Sequence, residues 1–127
     1  MKVLIVDDQA AFRRAAARVL ARQPGFDLVG EAESGEASIE ATRTRRPDLV
    51  LMDVHMPGIG GAEATRRIMA ASGADPPVVL LLSTYDTADY GSCALECGAA
   101  AYLPKAEFGP EVLQAAWMAA RPGQPKC

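Results

Sequence analysis

Five short apolar runs punctuate this chain, and each is followed by a stretch in which apolar and polar residues recur at helical spacing. The runs are KVLIV (2–6), DLVGEAE (27–33), DLVLM (48–52), VVLLLS (78–83) and AAYL (100–103). Three of them, at 3–6, 49–52 and 78–82, are continuously apolar. Strands covered on both faces read that way, as in a parallel sheet flanked by helices. The second run alternates and carries charge, which suits an edge strand.

The intervening stretches predict helices. Residues 9–22 set Phe12, Ala16, Val19 and Leu20 on one side and Arg13, Arg14, Arg18 and Arg22 largely on the other, and Pro24-Gly25 ends the pattern. Residues 35–45 follow Ser34, a residue type that caps helix N-termini, and stop before Pro47. Further helices are predicted over 61–71, over 86–97 with Gly98 at its end, and over 110–120 with Pro110 at the first position. Gly91 and Ser92 fall inside the fourth of these and weaken it. Strand followed by helix, five times over, predicts an α/β fold: a doubly wound, five-stranded parallel sheet with right-handed crossovers and helices on both faces. One domain over 1–120 accounts for the pattern, and RPGQPKC (121–127) reads as a tail or the start of a linker.

Composition narrows the function classes. Half of the 127 residues are apolar, enough for a real core, and the net charge of −3 argues against direct nucleic-acid contact by this domain. No run approaches the ~18 apolar residues of a membrane span, and the opening MKVLIVDDQ is too short an apolar stretch for a secretory signal, so a cytoplasmic chain is expected. Cys93, Cys97 and Cys127 offer neither a disulfide framework nor a zinc spacing.

Ligands of open α/β sheets bind outside the carboxyl ends of the strands. The residues just past each strand are therefore informative. Asp7 and Asp8 come after the first, Asp53 after the third, Ser83 ends the fourth with Thr84 next to it, and Lys105 comes after the fifth. Singly, such residues cap helices or face solvent; together they place three carboxylates, a hydroxyl and an ammonium on one edge. Two unit charges ~4 Å apart cost about 4 kcal/mol at an effective dielectric of about 20, so the carboxylates call for a cation. Oxygen-only donors point to Mg²⁺, with Mn²⁺ as a substitute, and Mg²⁺ with few protein ligands usually shares its shell with phosphate oxygens. A carboxylate can itself attack phosphorus, and Asp53 is the best nucleophile: it ends the central strand and leads into VHMPGIGG, a loop expected to leave its side chain exposed.

The pieces LIVDD, PDLVLMDVHMPGIGG, VVLLLSTYD and CGAAAYLPK resemble, in order and interval, a response-regulator receiver domain (CheY-like) of bacterial two-component signalling. From Asp8 to Asp53 is 45 residues, from Asp53 to Ser83 is 30, and from Ser83 to Lys105 is 22. STYDTADY followed by GAAAYLPK looks closest to the NarL/LuxR-type branch, whose members carry a DNA-binding output domain. The resemblance implies a flavodoxin-like strand order 2-1-3-4-5. It implies that Asp53 accepts a phosphoryl group from a sensor histidine kinase, that Asp7, Asp8 and Asp53 with the backbone carbonyl of His55 hold the metal, and that Ser83 and Lys105 contact the phosphoryl group. Tyr102 matches the aromatic that turns between outward and inward positions. Thr84 and Tyr85 would modulate phosphoryl lifetime, and Ala10, Ala11 and Arg14 are expected kinase contacts. Phosphorylation would shift a conformational population and control an output such as transcription, with homodimerisation as one route.

Departures from the family pattern are Pro104 before Lys105, Ala106 after it, Gly60 where Asp or Asn is usual, and Ser83 in place of Thr. None removes a reactive group. Two other readings compete. A phosphohydrolase with an Asp nucleophile would start with DxD after its first strand, whereas here the acids are adjacent. A phosphorylation-independent docking module would usually lack an acid or the lysine. The expected activity is that of a switch with self-phosphorylation and autodephosphorylation chemistry rather than a dedicated enzyme.

Overall fold

A computed structural model describes residues 1–84 and 96–120. Its strands are β1 (Lys2–Val6), β2 (Asp27–Ala32), β3 (Leu49–Asp53), β4 (Val78–Ser83) and β5 (Ala101–Pro104). The helices α1 (Ala10–Ala21), α2 (Gly35–Arg45) and α3 (Gly60–Ala71) follow the first three strands, and a C-terminal helix (Pro110–Ala120) follows β5 after a 3₁₀ turn, Lys105–Glu107. All pairings are parallel and the order is β2-β1-β3-β4-β5. This is the doubly wound sheet expected from the apolar runs. The predicted helix over 86–97 falls almost wholly outside the described residues, as do Tyr85, Gly91, Ser92, Cys93 and the 121–127 tail.

The continuous apolar runs are the central strands. Every residue of β3 and β4 is buried, as is β1 beyond Lys2, whereas β2 and β5 are only partly covered and form the edges. Alternation divides the core in two. Leu4, Val6, Val50, Met52, Val79 and Leu81 pack under α2 and α3, with Ala64 and Ile68. Val3, Ile5, Leu49, Leu51, Leu80 and Leu82 pack under α1 and the C-terminal helix, with Ala16, Leu20 and Leu113. Side chains on a strand change face at every residue, so two buried faces require two apolar sets.

Local chemistry sets the helix ends. The Ser34 hydroxyl accepts the Ala37 N–H at 3.0 Å, as its cap assignment predicts. Arg46 closes α2 in the left-handed region at φ 47°, donating its N–H to the Thr42 carbonyl, and Pro47 prevents continuation. The fifth strand runs one residue further than its apolar run, ending at Pro104. Pro104 is the last residue of an edge strand, so its missing N–H removes at most the final bond of the ladder.

Candidate functional site

Strand parity decides which polar groups meet. Asp7 continues the Val3, Ile5 series, Asp53 the Leu49, Leu51 series, and Lys105 the Ala101, Leu103 series. All three therefore leave the carboxyl edge of the sheet on the side of α1. The order of connection reverses between β1 and β3, the topological switch point where open α/β sheets bind ligands.

The two inner carboxylates are built alike. Asp7 Oδ1 accepts the Gln9 N–H at 2.8 Å, and Asp53 Oδ1 accepts the His55 N–H at 3.2 Å. Each Asp thus caps its own following turn with one oxygen, a local bond for which its short side chain is suited. The second oxygens face Lys105: Nζ is 2.5 Å from Asp7 Oδ2 and 3.5 Å from Asp53 Oδ2. The ammonium also sits 4.7 Å from the centroid of the Phe12 ring, against which Phe108 packs at 5.9 Å. A cation over an aromatic face is attracted by the ring quadrupole, so Lys105 is held from both sides.

Asp53 is buried, at 3% exposure. The exposed acceptor expected from its loop is thus corrected, because the loop does not stand away from the sheet. Gly58 and Gly60, at φ 85° and 77°, turn the chain back so that Gly61 donates its N–H to the Val54 carbonyl. A Cβ on Gly61 would lie 2.0 Å from the Asp53 carbonyl oxygen. Only glycine lets α3 start against the end of β3. Burial, then the Asp7 charge, pushes the Asp53 carboxyl up to about 6, against the pull of Lys105 and the His55 N–H.

Asp8 is exposed, yet one oxygen from each of Asp7, Asp8 and Asp53 falls within a 4.8 Å cluster. Three hard oxygen donors, one facing solvent, fit a small divalent cation that keeps part of its water. Among the described residues no thiol or imidazole joins them: Cys97 is buried in the α2/α3 core, and His55 offers the cluster a main-chain N–H through Asp53. Ser83 is fully buried at the end of β4, one residue beyond the level of Asp53, and pairs in register with Pro104. Thr84 next to it is exposed, and Tyr102 packs against the α2/α3 core. The expected residues at the strand ends thus gather on one edge; Tyr102 sits within β5 opposite Leu81, and Tyr85 lies outside the described residues. A cavity of about 450 Å³ at the opposite edge, lined by Thr42, Arg46, Asp48, Ile68 and Pro77, shares none of them.

Two residues join the site that helical spacing alone does not point to. The spacing puts Phe12 on the core-facing side of α1, where it packs as expected, and its ring also shelves the lysine. The spacing puts Arg13 on the basic outer face of α1. Its guanidinium turns inward, donating to the Asp7 carbonyl at 2.6 Å and pairing with Glu31 and Glu33, while Ala10, Ala11 and Arg14 remain exposed. A helical period cannot show that β2 brings two acids alongside.

Comparison with known proteins agrees with this geometry. A family model described as the response regulator receiver domain matches residues 3–117. Response regulator GacA of Pseudomonas syringae pv. syringae is 41% identical over 116 residues, covering 91% of this chain and 53% of GacA. The chain spans about half the length of the curated relatives it matches. Among solved structures, the receiver domain of NarL from Mycobacterium tuberculosis is 33% identical with a TM-score of 0.80, covering 91% of this chain and 94% of that one. A LuxR-family two-component response regulator from Aurantimonas sp. SI85-9A1 is 32% identical with a TM-score of 0.84, covering 94% and 86%.

Proposed function

This chain belongs to the response regulator receiver domain family, and from that premise we propose that it is a phosphorylation switch in which Asp53 takes a phosphoryl group from a sensor histidine kinase. The observation that carries this reading is the cluster itself: three carboxylates within 4.8 Å of one another, with Lys105 against two of them. Asp7, Asp8 and Asp53, with the main-chain carbonyl of His55, would hold Mg²⁺, or Mn²⁺ in its place. The bound ion supplies positive charge to the carboxylates and to phosphoryl oxygens.

The residues then divide the work. Asp53 Oδ2 forms a bond to phosphorus as the P–N bond of phosphohistidine breaks; the imidazole leaves with that electron pair and takes up a proton. Lys105 follows the new negative charge outward from Asp7, and the Ser83 hydroxyl donates to a phosphoryl oxygen. Most of the gain comes from alignment and charge neutralisation rather than proton transfer. Water later attacks phosphorus and restores the carboxylate, at a rate modulated from Thr84 and Tyr85. Lys105 and Ser83 drawn toward the phosphoryl group would shift the balance of conformations, with Tyr102 turning as the readout.

The receiver occupies 1–120 on this reading, with 121–127 as a tail or the start of a linker. The output is transcriptional, through a DNA-binding module of the LuxR type, and phosphorylation favours a homodimer. No described helix is long and apolar enough to cross a membrane, and the setting proposed is the cytoplasm.

Acetyl phosphate with Mg²⁺, followed by intact-mass measurement, tests the assignment. One phosphoryl group is expected on the wild type, none without a divalent cation, and none on Asp53→Asn. A label that persists in Asp53→Asn refutes the acceptor; no label on the wild type leaves the phosphorylation-independent docking module.

A further inference from the structure

Asp7 and Asp8 share one peptide plane, which carries the Asp7 carbonyl and the Asp8 N–H. That plane is rigid, so whatever fixes the carbonyl also fixes the direction in which the chain leaves toward Asp8. The Asp7 N–H is held by the Ala32 carbonyl of β2 at 3.0 Å. Its carbonyl is held by Arg13 Nη1 at 2.6 Å. A ring of bonds results. Asp7 Oδ1 accepts the Gln9 N–H, the Gln9 carbonyl accepts the Arg13 N–H at 3.2 Å, and the Arg13 guanidinium returns to the Asp7 carbonyl.

The remaining guanidinium nitrogens are aimed from the β2 side. Nε pairs with Glu31 at 3.2 Å and Nη2 with Glu33 at 3.4 Å. The Arg13 side chain is only 13% exposed, while the two glutamates are 43% and 78% exposed. Ion pairs to such wet partners contribute little by themselves. The charge-assisted bond to a part-buried carbonyl is the stronger contact, and the glutamates orient the fork that makes it.

We infer that Arg13 is a positioning residue for the divalent-cation site: by holding the Asp7–Asp8 peptide plane it sets the relative placement of the buried and the exposed carboxylate. This rests on the reading of the cluster as a metal site. It makes a prediction opposite in sign to simple electrostatics. Arg13 is a cation beside a cation site, so deleting its charge should tighten Mg²⁺ binding if charge were all that mattered. Loss of positioning weakens it.

Mg²⁺ affinity is measured by calorimetric titration of the whole 127-residue chain, with thermal melts in EDTA to report the fold. Arg13→Ala is expected to weaken Mg²⁺ by about 10-fold, the lower end of what residues behind metal ligands contribute. Arg13→Lys, which keeps the charge and loses the fork, should also weaken it. Glu31→Gln with Glu33→Gln leaves α1 and β1 untouched and should weaken Mg²⁺ by about threefold, and the exposed neighbour Arg14→Ala should stay within about twofold of wild type. If Arg13→Ala does not fold, the Arg13→Lys chain decides, since loss of the two glutamate charges weakens Mg²⁺ on electrostatic grounds as well. Unchanged or tighter binding in the folded Arg13 variants overturns the inference. A wild type that fails to bind Mg²⁺ overturns the metal-site reading together with it, so the two failures are distinguishable.

Discussion

The Lys105 ammonium lies 2.5 Å from an Asp7 carboxylate oxygen and 3.5 Å from one of Asp53. In this arrangement the lysine serves the carboxylate that is not the proposed acceptor. It therefore lowers the electrostatic cost of burying Asp7 while competing with any cation for the same oxygen.

Removing the ammonium should separate those two effects. Lys105→Met keeps the stem and leaves two buried carboxylates without their shared cation. The expected loss is about 3 kcal/mol of stability in EDTA at neutral pH. Mg²⁺ should bind more tightly than to wild type and recover much of that loss. Urea denaturation with and without Mg²⁺ measures both; equal stability of the two chains in EDTA would sink the idea.

The raised Asp53 carboxyl gives a pH signature. Its folded value of about 6 lies above the ordinary 3.8. The folded state therefore holds this proton more tightly than the unfolded chain does. That contribution to stability is complete below about pH 4 and is lost as pH rises through 6, amounting to about 3 kcal/mol. In EDTA, Asp53→Asn should gain on wild type steadily between about pH 4 and 7, and Mg²⁺ should narrow the gap at neutral pH by stabilising wild type alone. Parallel denaturation curves with no pH-dependent difference would refute the buried, proton-retaining carboxyl.

Gly61 tests the close approach of α3 to β3. A Cβ there would meet the Asp53 carbonyl at 2.0 Å, and that obstacle is backbone rather than a movable side chain. Gly61→Ala should cost about 3 kcal/mol and slow labelling by acetyl phosphate, because α3 and the end of β3 must part. Gly109→Ala, where a Cβ meets nothing within 4 Å, should cost under about 1 kcal/mol and leave labelling intact.

Phe12 should couple energetically to Lys105. The ring lies 4.7 Å from Nζ, and its removal takes away a desolvated cation–π contact. A double-mutant cycle of Phe12→Leu with Lys105→Met should return a coupling of about 1 kcal/mol, while Phe12→Tyr keeps the contact. A coupling indistinguishable from zero would mean the ring only fills space.

Much of this protein was legible in order and spacing alone. Continuous apolar runs marked β1, β3 and β4 because a strand buried on both faces has no room for alternation, and the charged second run marked an edge. The residues after the strands could be expected to meet, since parallel strands deliver their carboxyl ends to one edge. Direction and depth were decided only by the tertiary structure. Asp53 is buried because glycines at 58, 60 and 61 fold its loop against the sheet. Lys105 meets Asp7 and Asp53 because strand parity brings all three to the α1 side, above Phe12. Arg13 turns inward because β2, placed beside β1, sets Glu31 and Glu33 next to it. Each of these depends on a neighbour far away in the chain, and a pattern with a period of two or 3.6 residues carries no information about which neighbour that will be.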